Sequence, residues 1–174
     1  MSIKQNIIYS LKQSRGIVQG MVDAMSSRKD WLYQVHPKAN HPLWVVGHIG
    51  LADNAFLKRL QPSQVDDRGW DDLFWFGSEI SGDSDRYPET EIVLAYFHER
   101  RESLLKVIDG LNDEFLLSPS PDEGMFVDAP NMAAILIFTS FHEGMHAGQF
   151  TIAHRGLGHQ PLFQPQRQTD TVDT

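Results

Sequence analysis

The stretch Phe141-His142-Glu143-Gly144-Met145-His146-Ala147-Gly148-Gln149 lies inside a longer apolar run from Asn131 to Gly156, and its reading decides the fold. His142 and His146 are four residues apart, so on a helix they share a face with Cβ atoms about 5–6 Å apart, a chelating spacing. From Met132 the positions Ile135, Thr139, His142, His146, Gln149 and Ala153 advance by alternating threes and fours, the seam of a helix packed among others. That seam points both imidazoles inward. An imidazole in a core must be hydrogen bonded or ligated, because a buried polar group without a partner costs on the order of 2–7 kcal/mol. One inward histidine is ordinary core structure; two at chelating spacing point to a metal.

Outward from this run, three more segments repeat with a helical period. Residues 42–60 carry Trp44, His48, Leu51, Ala52 and Ala55 on one stripe, and Pro42 suits a first helical turn, where no N–H is needed. His48 therefore also occupies a core position. Residues 3–25 repeat Ile3, Ile7, Ile8, Leu11, Val18, Met21, Val22 and Met25, with Gly16 and Gly20 between them. Those glycines either admit a neighbouring backbone or only weaken the helix locally. Residues 89–111, starting at Glu89 or Thr90, place Leu94, His98, Arg101, Leu105 and Ile108 on a stripe, which makes His98 a reserve metal ligand. With the run 131–156, these spans predict an all-α four-helix bundle with a long crossover between the second and third helices, and no strand or repeat.

The connections carry their own signals. His36 and His41 fall in the first one, beside Pro37, Asn40 and Pro42, where surface or capping roles are expected. The crossover, Gln61 to Glu89, holds eight acidic residues against two basic ones, 8 − 2 giving net −6 of the chain's −8. It also holds Trp70, Phe74, Trp75, Phe76 and Tyr87, too many large rings for a flexible linker. A short helical turn is expected at Asp71 to Phe76, and the rings either seal the core or line a substrate pocket. Asp83 and Asp85 do not complete a calcium loop. Asp113 to Asn131 reads as a loop with a turn at Glu114 to Leu117. A domain over 1–163 and a polar tail over 164–174 follow.

At 174 residues, one domain with a substantial core is expected. The net charge of −8 disfavours nucleic acid or an anionic membrane as partner. There is no cysteine, so disulfides, thiolate nucleophiles and cysteine zinc sites are excluded together, and any metal must be held by nitrogen and oxygen. Residues 1–13 lack a signal-peptide pattern and Met132 to Phe138 is too short to span a bilayer, so a cytoplasmic protein is expected.

Two histidines on one helix and His48 from another make three ligands, the number a catalytic zinc-type site takes from its protein while leaving one position open. The run His142-Glu143-Gly144-Met145-His146 also satisfies H-E-x-x-H, the metalloprotease pattern in which the glutamate is general base. Two features argue against a protease. Ile152 stands six residues after His146 where a third histidine would be needed, and no glutamate follows Glu143 as a distant ligand.

The run from His142 to Gln149, then His154-Arg155-Gly156-Leu157-Gly158 and Pro161-Leu162-Phe163, resembles the last helix and exit of the DinB-like metal-binding four-helix family. Trp44-Val45-Val46-Gly47-His48-Ile49 resembles that family's second helix, where one histidine completes a metal triad. The likeness extends over most of the chain. It implies one divalent ion, usually zinc or nickel, on His48, His142 and His146, and often a homodimer. It also implies an outer hydrogen bond from Gln149. Characterised relatives include transferases and isomerases that use low-molecular-weight thiols, and the family name does not imply DNA binding. The expectation is a metal-dependent transferase with a small-molecule substrate and a small thiol, Glu143 being a candidate proton acceptor. A metal-dependent hydrolase and a non-catalytic metal-stabilised sensor or binding bundle are the alternatives.

Overall fold

The computed structural model describes residues 1–119 and 129–162, and among these every regular element is helical. Four long helices, α1 (Ile3–Val22), α3 (Pro42–Leu60), α5 (Thr90–Asp109) and α7 (Met132–Gly156), alternate with three short ones, α2 (Arg28–Trp31), α4 (Asp71–Phe74) and α6 (Asp113–Leu117). The expected tail from 164 and residues 120–128 of the 113–131 loop lie outside the described residues.

Helix ends follow local chemistry. Ser2 and Gln5 form a reciprocal capping box at the start of α1. Asn131 caps α7 through the N–H of Ala134. α1 stops three residues earlier than its periodicity predicts. Ala24 and Met25 bond back only to Met21 and Val22, the tighter winding of a terminating turn, and Ser27 with Asp30 then caps the new helix α2. That helix, only four residues long, carries no periodic signal.

Contacts set the directions of the long helices. Ser14 of α1 meets Glu143 of α7 and Met21 meets Thr151, so those two run parallel. Gly50 of α3 faces Tyr96 of α5 while Asp53 faces Arg101, so these are parallel as well. Asn40 lies against Gln149 and His48 against His142, which sets α3 antiparallel to α7. Residues 61–89 connect α3 to α5 and carry the short helix α4.

The core is two apolar clusters separated by a charged layer. One gathers Ile7, Leu11, Leu57, Leu104, Ile108 and Leu136; the other gathers Val18, Trp44, Ile49, Phe74, Phe97 and Phe150. Between them, at one level on all four long helices, stand Arg15, Asp53, Arg101 and Glu143. α3 is buried all round from Pro42 to Asn54, beyond the single stripe its sequence suggests, because α4 and the first connection cover the face that α5 and α7 leave.

The rings of residues 61–89 divide between the core and the surface. Phe74 and Tyr87 are buried and Trp70 half-buried against the core, whereas Trp75 and Phe76 are exposed. The short helix ends at Phe74, two residues before the expected limit, and extended backbone at Trp75 directs the chain outward.

Candidate metal centre

α3 supplies His48 and α7 supplies His142 and His146, and their ring nitrogens converge. The Nε2 atoms of His48 and His142 are 3.2 Å apart, as are those of His146 and His142. Nitrogens bound tetrahedrally to one zinc ion at about 2.0–2.1 Å stand about 3.3 Å from each other. The spacing fits a shared ion.

Outer partners fix the orientation of two rings. His48 Nδ1 lies 2.8 Å from the Phe74 carbonyl, and His146 Nδ1 lies 3.0 Å from Gln149 Oε1. Both oxygens only accept, so each ring donates through Nδ1 and leaves the Nε2 lone pair facing the cluster. Gln149 is steadied by the Asn40 amide at 2.9 Å. Trp44 stacks on His48 with ring centroids 4.7 Å apart, and its indole N–H donates to Ser78 Oγ at 2.8 Å. The Phe74 carbonyl reaches His48 because position 47 has no side chain. A Cβ on Gly47 would stand 2.5 Å from the Phe74 ring. The glycine directly before His48 was the available signal, but its use depends on a residue 27 positions away.

Burial keeps these imidazoles neutral. It lowers the pKa of His48 to about 3, with His146 adding to the effect and the Phe74 bond opposing it. It lowers that of His142 to about 4, again helped by His146, and lowers that of His146 against the opposing bond to Gln149. Neutral rings are the ligand form. His41, fully buried, caps α3 by accepting the Trp44 N–H at Nδ1, and burial lowers its pKa to about 4. It therefore fills the capping role expected of it, while His36 is exposed.

These depressions make metal-free protein acid-sensitive. In the unfolded chain histidines bind protons near pH 6.5, and in the folded chain His41, His48 and His142 do so only near 3 to 4. Between those limits the unfolded state holds more protons, so stability is complete above about 6.5 and falls as pH drops towards 4. Denaturant unfolding of metal-stripped protein is expected to lose on the order of a few kcal/mol between pH 7.5 and pH 5. Equal stability at both values would contradict the depressed titration.

His98, the reserve ligand, stands outside the triad: it is half-buried on α5 with its ring edge-on to Phe97. A second correction concerns the azimuth of α7. The seam predicts His142 and Gln149 inward and Glu143 offset; instead Glu143 is 1 % exposed, His142 is half-buried and Gln149 is exposed. Cations inside the core account for the rotation. Glu143 accepts from Arg15 Nε at 2.6 Å, Ser14 Oγ at 2.6 Å and Arg101 Nη1 at 2.9 Å. Asp53 accepts from both guanidiniums, from Arg15 Nη2 at 2.9 Å and from Arg101 Nε and Nη2 at 2.9 and 3.0 Å, while Arg15 Nη1 donates to the Phe97 carbonyl and Arg101 Nη1 also to that of Leu11, each at 2.8 Å. Both carboxylates are thus engaged by both arginines. The sequence placed Arg101 on an inward stripe, but the pairing went unread because its members lie on four separate helices.

Two aromatic walls border the triad. The Trp75 ring centroid is 5.9 Å from that of His48, and Phe138 lies 6.3 Å from His142. Among the described residues no other group of histidines and carboxylates converges in this way, and no helix is long and apolar enough to cross a membrane.

A helical chain with the parallel pairs α1/α7 and α3/α5, and three convergent imidazoles between α3 and α7, falls in the class of candidate metal-binding helical proteins. The family model of the DinB superfamily matches residues 10–150, most of the chain, and the protein belongs to that superfamily. No curated protein matches the sequence.

Proposed function

We propose that the four long helices form the four-helix bundle of this superfamily and hold one divalent ion, zinc or nickel, on His48, His142 and His146. The observation that carries this reading is the convergence of three imidazoles, with His142 Nε2 standing 3.2 Å from the Nε2 atoms of both His48 and His146 and two rings held in the Nδ1–H tautomer. Imidazole nitrogen suits either metal. A divalent ion with an open position supplies Lewis acidity, which favours the deprotonated form of a small thiol or of water.

The reaction we infer is transfer of a low-molecular-weight thiol to an electrophilic small molecule. The chain has no cysteine, so the sulfur nucleophile must come from outside. Trp75 and Phe138 flank the triad and would hold an apolar substrate while limiting water. Glu143 acts in this reading by position. Its oxygens are committed to Ser14, Arg15 and Arg101, so the candidate proton acceptor instead anchors the turn of α7 that bears His142. Turnover of an alkylating electrophile by the metal-loaded protein should require added thiol and rise with its concentration. Metal-dependent turnover without thiol would replace this reading with a hydrolase, and a loaded protein inert to both would leave a metal-stabilised binding bundle.

The outer face of α7 supports a homodimer. Ile137 and Phe141 are 49 % and 61 % exposed on one side of the helix, and Gly144 and Gly148 continue that side with open space beyond them. Such a stripe lets a second helix approach closely. In contrast, Gly20 of α1 is covered by Leu162. Light scattering at micromolar concentration is expected to give the mass of two chains, and that of one chain for Phe141→Glu; a monomeric parent protein would refute the association.

A further inference from the structure

Beside the triad, one turn further along α7, lies an open surface pocket of about 210 Å³ lined by Val35, Lys38, Ala39, Asn40, Gln149 and Ile152. We propose that it receives the carboxylate end of the small molecule whose other end reaches the metal. The inference deepens the preceding reading and rests on it for the second end only.

Two features specify an anion and a third a short carbon chain. Lys38 is the cation of the lining, on a chain of net charge −8, and it forms no ion pair among the described residues. Asn40 and Gln149 supply amide groups. The Gln149 carbonyl already accepts twice, from Asn40 Nδ2 at 2.9 Å and from His146 Nδ1 at 3.0 Å. Its two N–H bonds point the opposite way along the amide, away from His146, and the side chain is exposed at the cavity. Val35, Ala39 and Ile152 provide the apolar surface for a short carbon chain. The volume corresponds to about seven water molecules, enough for a carboxylate of a few carbons.

Gln149 joins this cavity to the metal centre. An anion on its N–H bonds polarises the amide and strengthens the carbonyl as acceptor for His146, so occupancy of the cavity and donor strength at Nε2 are linked. Along the α7 axis Gln149 is about 4.5 Å and Ile152 about 9 Å from His146, so the proposed ligand is a short one. The substrate class is a short-chain acid carrying a metal-seeking head, such as an ω-mercaptocarboxylate.

The test begins with metal-free, 15N-labelled protein titrated with butyrate at constant ionic strength, reading the side-chain amide signals of Gln149 and Asn40. Saturable shifts are expected with butyrate and none with butanol or butylammonium. Lys38→Ala should weaken butyrate binding about fivefold, and Lys38→Arg should retain it. Equal shifts with butanol, no saturation, or parental affinity in Lys38→Ala would each overturn the proposal. This arm needs no metal, so its failure is separate from failure of the metal reading. In the second arm, cobalt-loaded protein is titrated with 3-mercaptopropionate and with propanethiol while its visible absorption is followed. Tighter binding of the acid, lost in Lys38→Ala, supports the two-ended ligand; equal affinities would overturn it.

Discussion

His48→Ala is expected to abolish retention of one metal ion per chain. The triad draws two ligands from α7 and only one from α3, so this change leaves a bidentate site on a single helix. Affinity should fall by well over about a hundredfold, since removing even an outer partner of a ligand costs about 10–100-fold. Gln149→Ala keeps all three imidazoles, removes the outer bond to His146 along with that to Asn40, and should show the smaller loss. Metal analysis after dialysis against a weak chelator reads both. Unfolding reads them independently: free metal at about a hundred times its dissociation constant stabilises the parent by about 2.7 kcal/mol. That increment should vanish in His48→Ala. Stoichiometric metal in the variant would place the ion elsewhere.

Arg101→Met should produce the largest loss of stability. Arg101 holds Asp53 through two bonds, Glu143 through a third and the Leu11 carbonyl through a fourth, and all three side chains are 3 % or less exposed. Its removal leaves two buried carboxylates with one guanidinium, an imbalance that costs about 3–5 kcal/mol. Denaturant unfolding measures it, and a change below about 1 kcal/mol would show that water or rearrangement compensates.

A further variant separates stability from positioning. Replacing Arg15, Asp53, Arg101 and Glu143 together by apolar residues of similar volume removes the imbalance along with the desolvated charges, and such exchanges are often neutral or stabilising by about 1–4 kcal/mol. The layer nevertheless has members on α1, α3, α5 and α7, so a slip of any helix by one turn, about 5.4 Å, would strand a charge. Without it the Asn40–Gln149 bond near the start of α3 is left to set the height of His48 against His142 and His146 on α7. The expected result is a stable quadruple variant whose metal affinity is reduced about 10–100-fold, with the histidines untouched. Unchanged affinity would make the layer a matter of folding alone.

The sequence by itself determined the four long helices, because apolar residues recurring every three or four positions are a local property of each segment. It also determined that His142 and His146 share a face and that His48 lies within the core, since spacing and stripe membership need no partner. Tertiary structure decided what depends on distant residues. A periodic stripe is about 100° wide, and the orientation of α7 within that range follows from Arg15 and Arg101, whose guanidiniums draw Glu143 fully inward and leave His142 at the margin. The crossover rings were ambiguous for the same reason. Phe74 seals the core because Gly47 leaves it room, while Trp75, one residue on, stands exposed beside His48. Periodicity reports which face of a helix is apolar; only the groups meeting that face decide how a few polar residues on it are turned, because a buried charge is stable only where its counter-charge already stands.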